Sequence, residues 1–284
     1  MASQLSKSLK PKFSVAIATF NEEGNIGPCL ESVRQLADEI IIVDGSSTDR
    51  TVEIARKYGA EVIVTTNKPI FHINKQMAVD QCRGEWILQL DADERMTASL
   101  HDEIKNKILN IKNTNQKSKN NQEVVAYYIP RKNYFLGRWL RKGGQYPDYV
   151  IRFFKRGKAY LPCQSVHEQM QVRGKVGYLK GHLLHYTAPA FSRYLINANR
   201  YTSLTAKEMI TQKVPISLLT MLKYFCLKPF TVFLSLYLRH KGFLDGFPGF
   251  VFACFSGLHY AIAYVKYWEL KKQKRGIDFS KDWL

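Results

Sequence analysis

Short apolar runs alternate with helical spacings through the first hundred residues. "FSVAIAT" (13–19), "EIIIVD" (39–44), "EVIV" (61–64) and "EWILQL" (85–90) each read as a strand. Between them Ile26, Leu30, Val33 and Leu36 recur at helical spacing, as do Val52, Ala55 and Tyr58. Near-continuous apolar strands alternating with helices predict an α/β fold, a parallel sheet covered on both faces. Ligands bind such sheets beyond the carboxyl ends of the strands. Those ends are "TFNEE", "DGSSTD" and "DADE", so three polar clusters are expected to meet at one edge.

A further periodic stretch (98–111) leads into "NTNQKSKNNQ" (113–122), which reads as a polar surface loop. Strand character resumes in "VVAYYIP" (124–130), "YVIRFF" (149–154) and "KVGYLKGHLLHYT" (175–187). "RKNYFLGRWLRKGGQYPD", between the first two, mixes glycine, aromatics and arginines, a composition suited to a substrate-facing loop. From about Pro189 the pattern turns helical. The stretch 214–242 is strongly apolar but interrupted by Lys223, Lys228 and Pro229, and 246–265 has no Asp, Glu, Lys or Arg. Length alone would allow a membrane span. His259, the glycines and the preceding Asp245 and Pro248 point instead to interfacial or re-entrant helices with basic anchors. The alternative is a helical pair completing a soluble core. The expected organisation is a polar tail (1–12), an α/β domain (13–188, with halves 13–100 and 124–188) and a helical, membrane-associating region (189–284).

The 42 Lys and Arg outweigh 24 Asp and Glu for a net charge of +18, which suits nucleic acid, anionic lipid or phosphate-bearing small molecules. Nucleic acid is the weakest of the three, because no nucleic-acid-binding motif appears and basic–aromatic interleaving is concentrated in the apolar tail. Neither GxGxxG nor GxxxxGK[ST] is present, which removes the usual signals of dinucleotide cofactors and P-loop hydrolysis. The five cysteines are scattered and form no CxxC pair, as in a reducing interior. The polar start "MASQLSKSLKPK" has no apolar signal core, so the bulk of the chain is expected in the cytoplasm.

Against that basic background, "QLDADERM" (89–96) puts three carboxylates within four positions at the mouth of a buried strand. Such carboxylates lose hydration, and a cation or a hydrogen-bond donor must replace it. In an extended segment Asp91 and Asp93 point the same way. Paired like this they suit Mg²⁺ or Mn²⁺, which take one or two protein carboxylates together with water and substrate phosphates. A solvated turn pair is the bland alternative. Asp44 also ends a strand, where it can accept hydrogen bonds from a nucleobase imide or ribose hydroxyl, or merely start the next helix. Thr19 and Asn21 end the first strand beside it.

"FSVAIATFNEEGNIGPCLESV", "DEIIIVDGSSTDRTVEIARKYGAEV" and "GEWILQLDADE", in this order, resemble family 2 of the inverting glycosyltransferases, which have the GT-A fold. The likeness covers about residues 13–100. It implies that Asp44 binds the base of a UDP-sugar, that Asp91 and Asp93 hold the metal–diphosphate, and that Thr19, Asn21 and Glu22 line the nucleotide pocket. Lys75 matches a basic position of the family, although Gln76 follows it here. A looser likeness runs through "NYFLGRWLRKGGQYPDYVIRFFKRGKA", "VHEQM" and "HYT" to the branch that adds sugars to lipopolysaccharide core or related lipid-linked glycans. Such transfer implies a general base near the acceptor. The candidates are Asp148, four residues before Arg152, and Glu168; His167 is a candidate further metal ligand or phosphate contact. The family's usual Glu-Asp pair is here Pro147-Asp148. A relative of dolichyl-phosphate-sugar synthases, transferring to polyprenyl phosphate, would need no base. Either reading implies work on the cytoplasmic face of a membrane.

Overall fold

The computed structural model describes residues 12–68, 70–110, 123–164, 168–188 and 190–273. The chain separates into two compact units, Met1–Arg131 with Tyr149–His185, and Lys132–Asp148 with Tyr186–Leu284. Residues 132–148 therefore group with the C-terminal helices rather than with the rest of 13–188.

In the first unit the elements alternate as the apolar pattern predicts: β1 (Phe13–Thr19), α1 (Glu23–Val33), β2 (Glu39–Asp44), α2 (Thr51–Lys57), β3 (Glu61–Val64), α3 (His72–Gln81) and β4 (Trp86–Asp91). Then come β5 (Glu94–Met96), α4 (Ala98–Asn110), β6 (Val124–Phe135), β7 (Arg138–Trp139), β8 (Asp148–Lys155), β9 (Ala159–Tyr160), β10 (Gln171–Val172), β11 (Lys175–Tyr178) and β12 (Leu183–Ala188). The main sheet has the order β3-β2-β1-β4-β8-β6-β12-β5. β1 pairs parallel with β2 and β4, and β2 with β3, whereas β8 on β4 and β5 on β12 are antiparallel.

Strand alternation sorts the core onto two faces. Phe13, Val15, Ile17, Ile40, Ile42, Trp86, Leu88 and Leu90 pack with α1 and α4 through Ile26, Leu30, Leu100 and Ile104. Ala16, Ile41, Val43, Ile87 and Phe154 pack on the other face with Ala78 and Val79 of α3 and with Cys82 just after it. Register then makes the strand ends level: Thr19 lies opposite Asp44, and Ala18 opposite Asp91. The polar clusters after β1, β2 and β4 thus share one edge, where open α/β sheets place their ligands.

The second unit is helical apart from parts of the strands. α5 (Phe191–Thr211) is followed by a long helix made of α6 (Leu218–Leu222), a π-turn (Lys223–Leu227), α7 (Lys228–Leu234) and a second π-turn (Ser235–Arg239). A tight connection with a 3₁₀ turn (Gly242–Asp245) leads into α8 (Gly246–Gln273). Close backbone approach fixes the hairpin: a Cβ on Gly257 would lie 2.6 Å from the Pro229 carbonyl oxygen.

Candidate active site

The carboxylates at the end of β4 are neutralised mainly by side chains from other strands and helices. Asp91 Oδ1 lies 2.5 Å from Lys75 Nζ on α3, and its Oδ2 accepts from Arg152 Nη2 on β8 at 2.6 Å. Arg152 also donates to Glu94 Oε1 at 2.9 Å and to Gln89 Oε1, and Arg131 Nη1 reaches Glu94 at 3.1 Å. Glu94, wholly buried, accepts the Asp91 backbone N–H at 3.0 Å. Asp93 stands apart from this ladder, with its Oδ2 3.5 Å from His185 Nε2. His185 is delivered by β12, where it lies opposite Glu94 in the antiparallel register.

Burial alone would raise the pKa of Asp91, but Arg152 and Lys75 hold it well below the usual carboxylate range. Burial likewise opposes ionisation of Asp93, and His185 overcomes it, leaving that pKa lowered. For Lys75 burial wins: its pKa is lowered even though Asp91 pulls it up. Burial disfavours the Arg152 charge as well, but Asp91 and Glu94 raise its pKa above the ordinary guanidinium value. Cys29 contacts the Asp91 carbonyl at 3.6 Å, and burial raises its pKa far above the ordinary thiol value, so it lacks thiolate character.

The nucleotide candidates sit on the same edge. Asp44 is fully buried and turned toward its own loop, accepting from Ser47 N at 2.8 Å and Ser47 Oγ at 2.5 Å. A carboxylate has about four acceptor positions, so these bonds leave capacity for a ligand. Asn21 (φ 52°) and Ser46 (φ 67°) adopt left-handed backbone conformations just after β1 and β2. Asn21 ties the two ends together, its Oδ1 accepting from Thr48 N at 2.8 Å and its N–H donating to Ser47 Oγ at 2.8 Å. Glu22 starts α1: its backbone carbonyl accepts from Asn25 and Ile26, and its Oε2 accepts from Asn25 Nδ2. Thr19 Oγ1 and Arg152 Nε are buried with no hydrogen-bond partner in the structure. Buried polar atoms are rarely left so, and both lie where a polar ligand would supply partners.

Glu168 has a different setting. Its oxygens accept the backbone N–H groups of Cys163 and of Gln164 (3.0 Å), and His72 Nδ1 lies 3.3 Å away. It fastens a loop. Gln76 does similar work, accepting Leu161 N at 2.7 Å. Asp148, in the second unit, accepts from Asn133 Nδ2 at 3.0 Å. His167 lies outside the described residues. Arg131 and His185 escaped the sequence reading as site residues, because each reaches the cluster only through the sheet, and Glu94 was counted among the acids without a role of its own. The one sequence hint was Glu94, adjacent to the acid pair.

Among the described residues, no group of three or more His, Cys, Asp or Glu side chains forms a protein-only metal cage. The donor set does fit an ion completed by a substrate. Asp93 and His185 offer oxygen and nitrogen donors, while both Asp91 oxygens are engaged by cations. Mg²⁺ and Mn²⁺ sites commonly pair one or two carboxylates with substrate phosphates, and imidazole is a good ligand for the later first-row ions.

The sequence profile described as Glycosyl transferase family 2 matches residues 14–158. The lipopolysaccharide core biosynthesis glycosyltransferase LpsC of Rhizobium meliloti is 30% identical over 271 residues, covering 89% of this chain and 90% of LpsC. A glycosyltransferase of Rickettsia typhi is 29% identical, covering 96% and 92% of the two chains. Among solved structures, the mannosyltransferase PcManGT of Pyrobaculum calidifontis superposes with a TM-score of 0.51 at 13% identity, over 93% of this chain and 89% of that one. That likeness concerns the fold, and it agrees with the expected GT-A architecture of a mostly parallel sheet flanked by helices. A sheet with this order, levelled polar strand ends and a matching profile over half its length make the chain a glycosyltransferase, and it belongs to glycosyltransferase family 2.

Proposed function

We propose that this glycosyltransferase moves a sugar, with inversion, from a nucleotide-diphosphate sugar, UDP-linked, to a lipid-linked glycan such as lipopolysaccharide core at a membrane surface. The observation that carries the donor half is the Lys75–Asp91–Arg152–Glu94–Arg131 ladder at the carboxyl end of β4, beside the orphaned Thr19 hydroxyl. LpsC supports the acceptor class by its stated role in lipopolysaccharide core biosynthesis, and PcManGT was solved with GDP-Man and Mn²⁺.

Each residue has a physical task in this reading. Asp44 and Thr19 hold the base and ribose, with Asn21 and Glu22 fixing the loops around them. Lys75 and Arg152 face the diphosphate, and their positive charge is worth most as negative charge develops on the leaving group. Asp91 holds those two cations in place. Asp93 and His185, with Asp91 beside them, would hold Mg²⁺ or Mn²⁺. The ion, when bound, neutralises the departing diphosphate as a Lewis acid. Asp148 takes the proton of the attacking hydroxyl as general base, oriented by Asn133. Glu168, with its oxygens on backbone N–H groups, anchors its loop.

A panel of UDP-, GDP- and dTDP-sugars tests the donor assignment, with hydrolysis or transfer measured with and without Mn²⁺. Metal-dependent release of UDP from a UDP-sugar is expected, and its loss in His185→Ala supports the ligand set. Equal activity in excess chelator would refute the metal assignment. Asp148→Asn should abolish transfer to a hydroxyl acceptor. Undiminished transfer in that variant would favour a polyprenyl-phosphate acceptor, which needs no base.

A further inference from the structure

Two stretches, Leu218–Arg239 and Gly242–Lys272, are long and apolar enough to cross a bilayer by length and composition. In the most apolar 18-residue window of each, only 6% of the first and 39% of the second is buried in the protein, unlike the mostly buried core helices of a soluble domain. Leu219 (79% exposed), Phe247 (72%) and Phe230 (62%) are bare, as are Leu218, Leu227 and Leu238. Between Glu208 and Glu269 the chain carries Lys213, Lys223, Lys228, Arg239, Lys241 and Lys266 but a single acid, Asp245. That acid is 1% exposed, its oxygens accepting from Arg141 N (3.1 Å) and Lys142 N (2.7 Å). Apart from Glu269, exposed near the C-terminal end of α8, the accessible charge of the hairpin is therefore basic. An apolar surface with predominantly positive charge fits an anionic lipid bilayer.

The way the hairpin is held decides how it can meet that bilayer. Its turn is bound to the loop between β6 and β8. Besides the Asp245 bonds, Gly143 N donates to His240 O at 2.9 Å and Arg138 Nη2 to Leu244 O at 3.3 Å. This loop springs from sheet strands at both ends, is irregular apart from the two-residue β7, and contains Arg138, Arg141 and Lys142. Irregular polar backbone does not run through hydrocarbon, so the turn stays on the sheet's side of a membrane. The opposite end of the hairpin is reached from the sheet through α5. That helix lies along α8: Lys266 Nζ donates to Asn199 O and Oδ1 at 2.7 Å, and Thr205 Oγ1 is 3.0 Å from His259 Nε2. A crossing hairpin would drag α5 across as well. With Arg193, Asn197, Asn199, Arg200, Lys207 and Glu208 on it, α5 is too polar for that passage.

Building on the membrane association proposed above, we infer that neither apolar helix crosses the bilayer. The α6–α8 hairpin lies in the plane of one anionic leaflet, with its exposed leucines and phenylalanines among the headgroups and upper acyl chains. The inserted surface is one-sided, and both hairpin ends remain on the side of the nucleotide site.

The test uses the full chain expressed in bacteria, with His240→Cys or Lys272→Cys in a background of Cys163→Ser, Cys226→Ser and Cys254→Ser. A membrane-impermeant maleimide should label both thiols in inverted inner-membrane vesicles and neither in intact spheroplasts, with full labelling in detergent as the control. In a second background, Cys163→Ser with Cys254→Ser, a nitroxide on the retained Cys226, midway along the first stretch, should report a depth near the headgroups. Labelling of either thiol from the outer side, or a nitroxide at the bilayer centre, overturns the in-plane arrangement while leaving membrane association standing. Full recovery of the protein as a soluble monomer or dimer indifferent to phosphatidylglycerol vesicles overturns both.

Discussion

The strand-end cluster and the C-terminal hairpin solve opposite electrostatic problems in one chain. At the end of β4, three acids meet Lys75, Arg131, Arg152 and His185, so buried charges are matched one against another. In the hairpin Asp245 is buried on backbone N–H groups, and between it and Glu208 the only charged side chains are basic. The net charge of +18 therefore does not describe the active site, which is close to neutral. A phosphate-bearing donor there meets cations already held by carboxylates, whereas an anionic surface meets unopposed lysines. Pre-organised charge belongs to chemistry, because fixed donors need no reorganisation as charge develops. Unopposed charge belongs to docking, where diffuse attraction suffices.

The largest expected effect breaks the matched side. Asp91→Asn leaves Lys75 and Arg152 partly buried without their shared counter-charge, so it should abolish turnover and also cost about 3–5 kcal/mol of stability. Asp93→Asn should abolish turnover with a much smaller loss of stability, since it stands apart from the Lys75–Asp91–Arg152 ladder and its partner His185 is 3.5 Å away. Urea denaturation of both variants beside turnover checks this, and equal stabilities would mean that Asp91 is no keystone. Next, on the docking side, Leu219→Glu with Phe230→Glu should weaken binding to phosphatidylglycerol vesicles by about 1.5–3 kcal/mol per site while sparing UDP affinity. Vesicle flotation and calorimetry measure the two, and a matching loss of UDP affinity would contradict the separation.

A buried carboxylate outside both regions gives a control. Burial would raise the pKa of Glu39, but hydrogen bonds from Ser14 and from the N–H groups of Arg83 and Gly84, with the Arg83 charge, lower it. A group with a depressed folded pKa stabilises above its unfolded value, about 4.3, and that contribution fades as pH falls from there through the folded pKa. Glu39→Gln should cost about 1.5–3 kcal/mol at neutral pH and flatten the acid limb of the stability curve, with kcat unchanged. An acid limb as steep as that of the native protein would show that Glu39 contributes nothing to it. Smallest, Lys223→Gln and Lys241→Gln should each weaken vesicle binding by about 1 kcal/mol at low ionic strength, and by less in high salt. A salt-independent loss would assign these lysines to packing.

What the sequence determined was local and periodic. The bounds of β1, β2 and β3 follow the apolar runs residue for residue; β1 and β2 are buried on both faces and leave few polar positions inside, while β3 is the sheet's half-exposed edge. The levelled strand ends, and with them Thr19, Asp44 and Asp91 on one edge, follow from parallel pairing of such runs. Lys75 was legible too, although from family likeness rather than from pattern. The expected strand over 175–187 is instead two, β11 and β12, broken where Gly181 packs against Leu100 so closely that a Cβ would lie 2.4 Å from its Cα. Only the tertiary structure decided that Arg152 and Lys75, 77 positions apart, share one carboxylate, and that His185 stands beside Asp93. It also decided that the hairpin turn is held by the loop after β6. Spacing along a chain records which face a residue occupies. It carries no information about which distant strand will lie against that face, and charge pairing across strands depends on that choice.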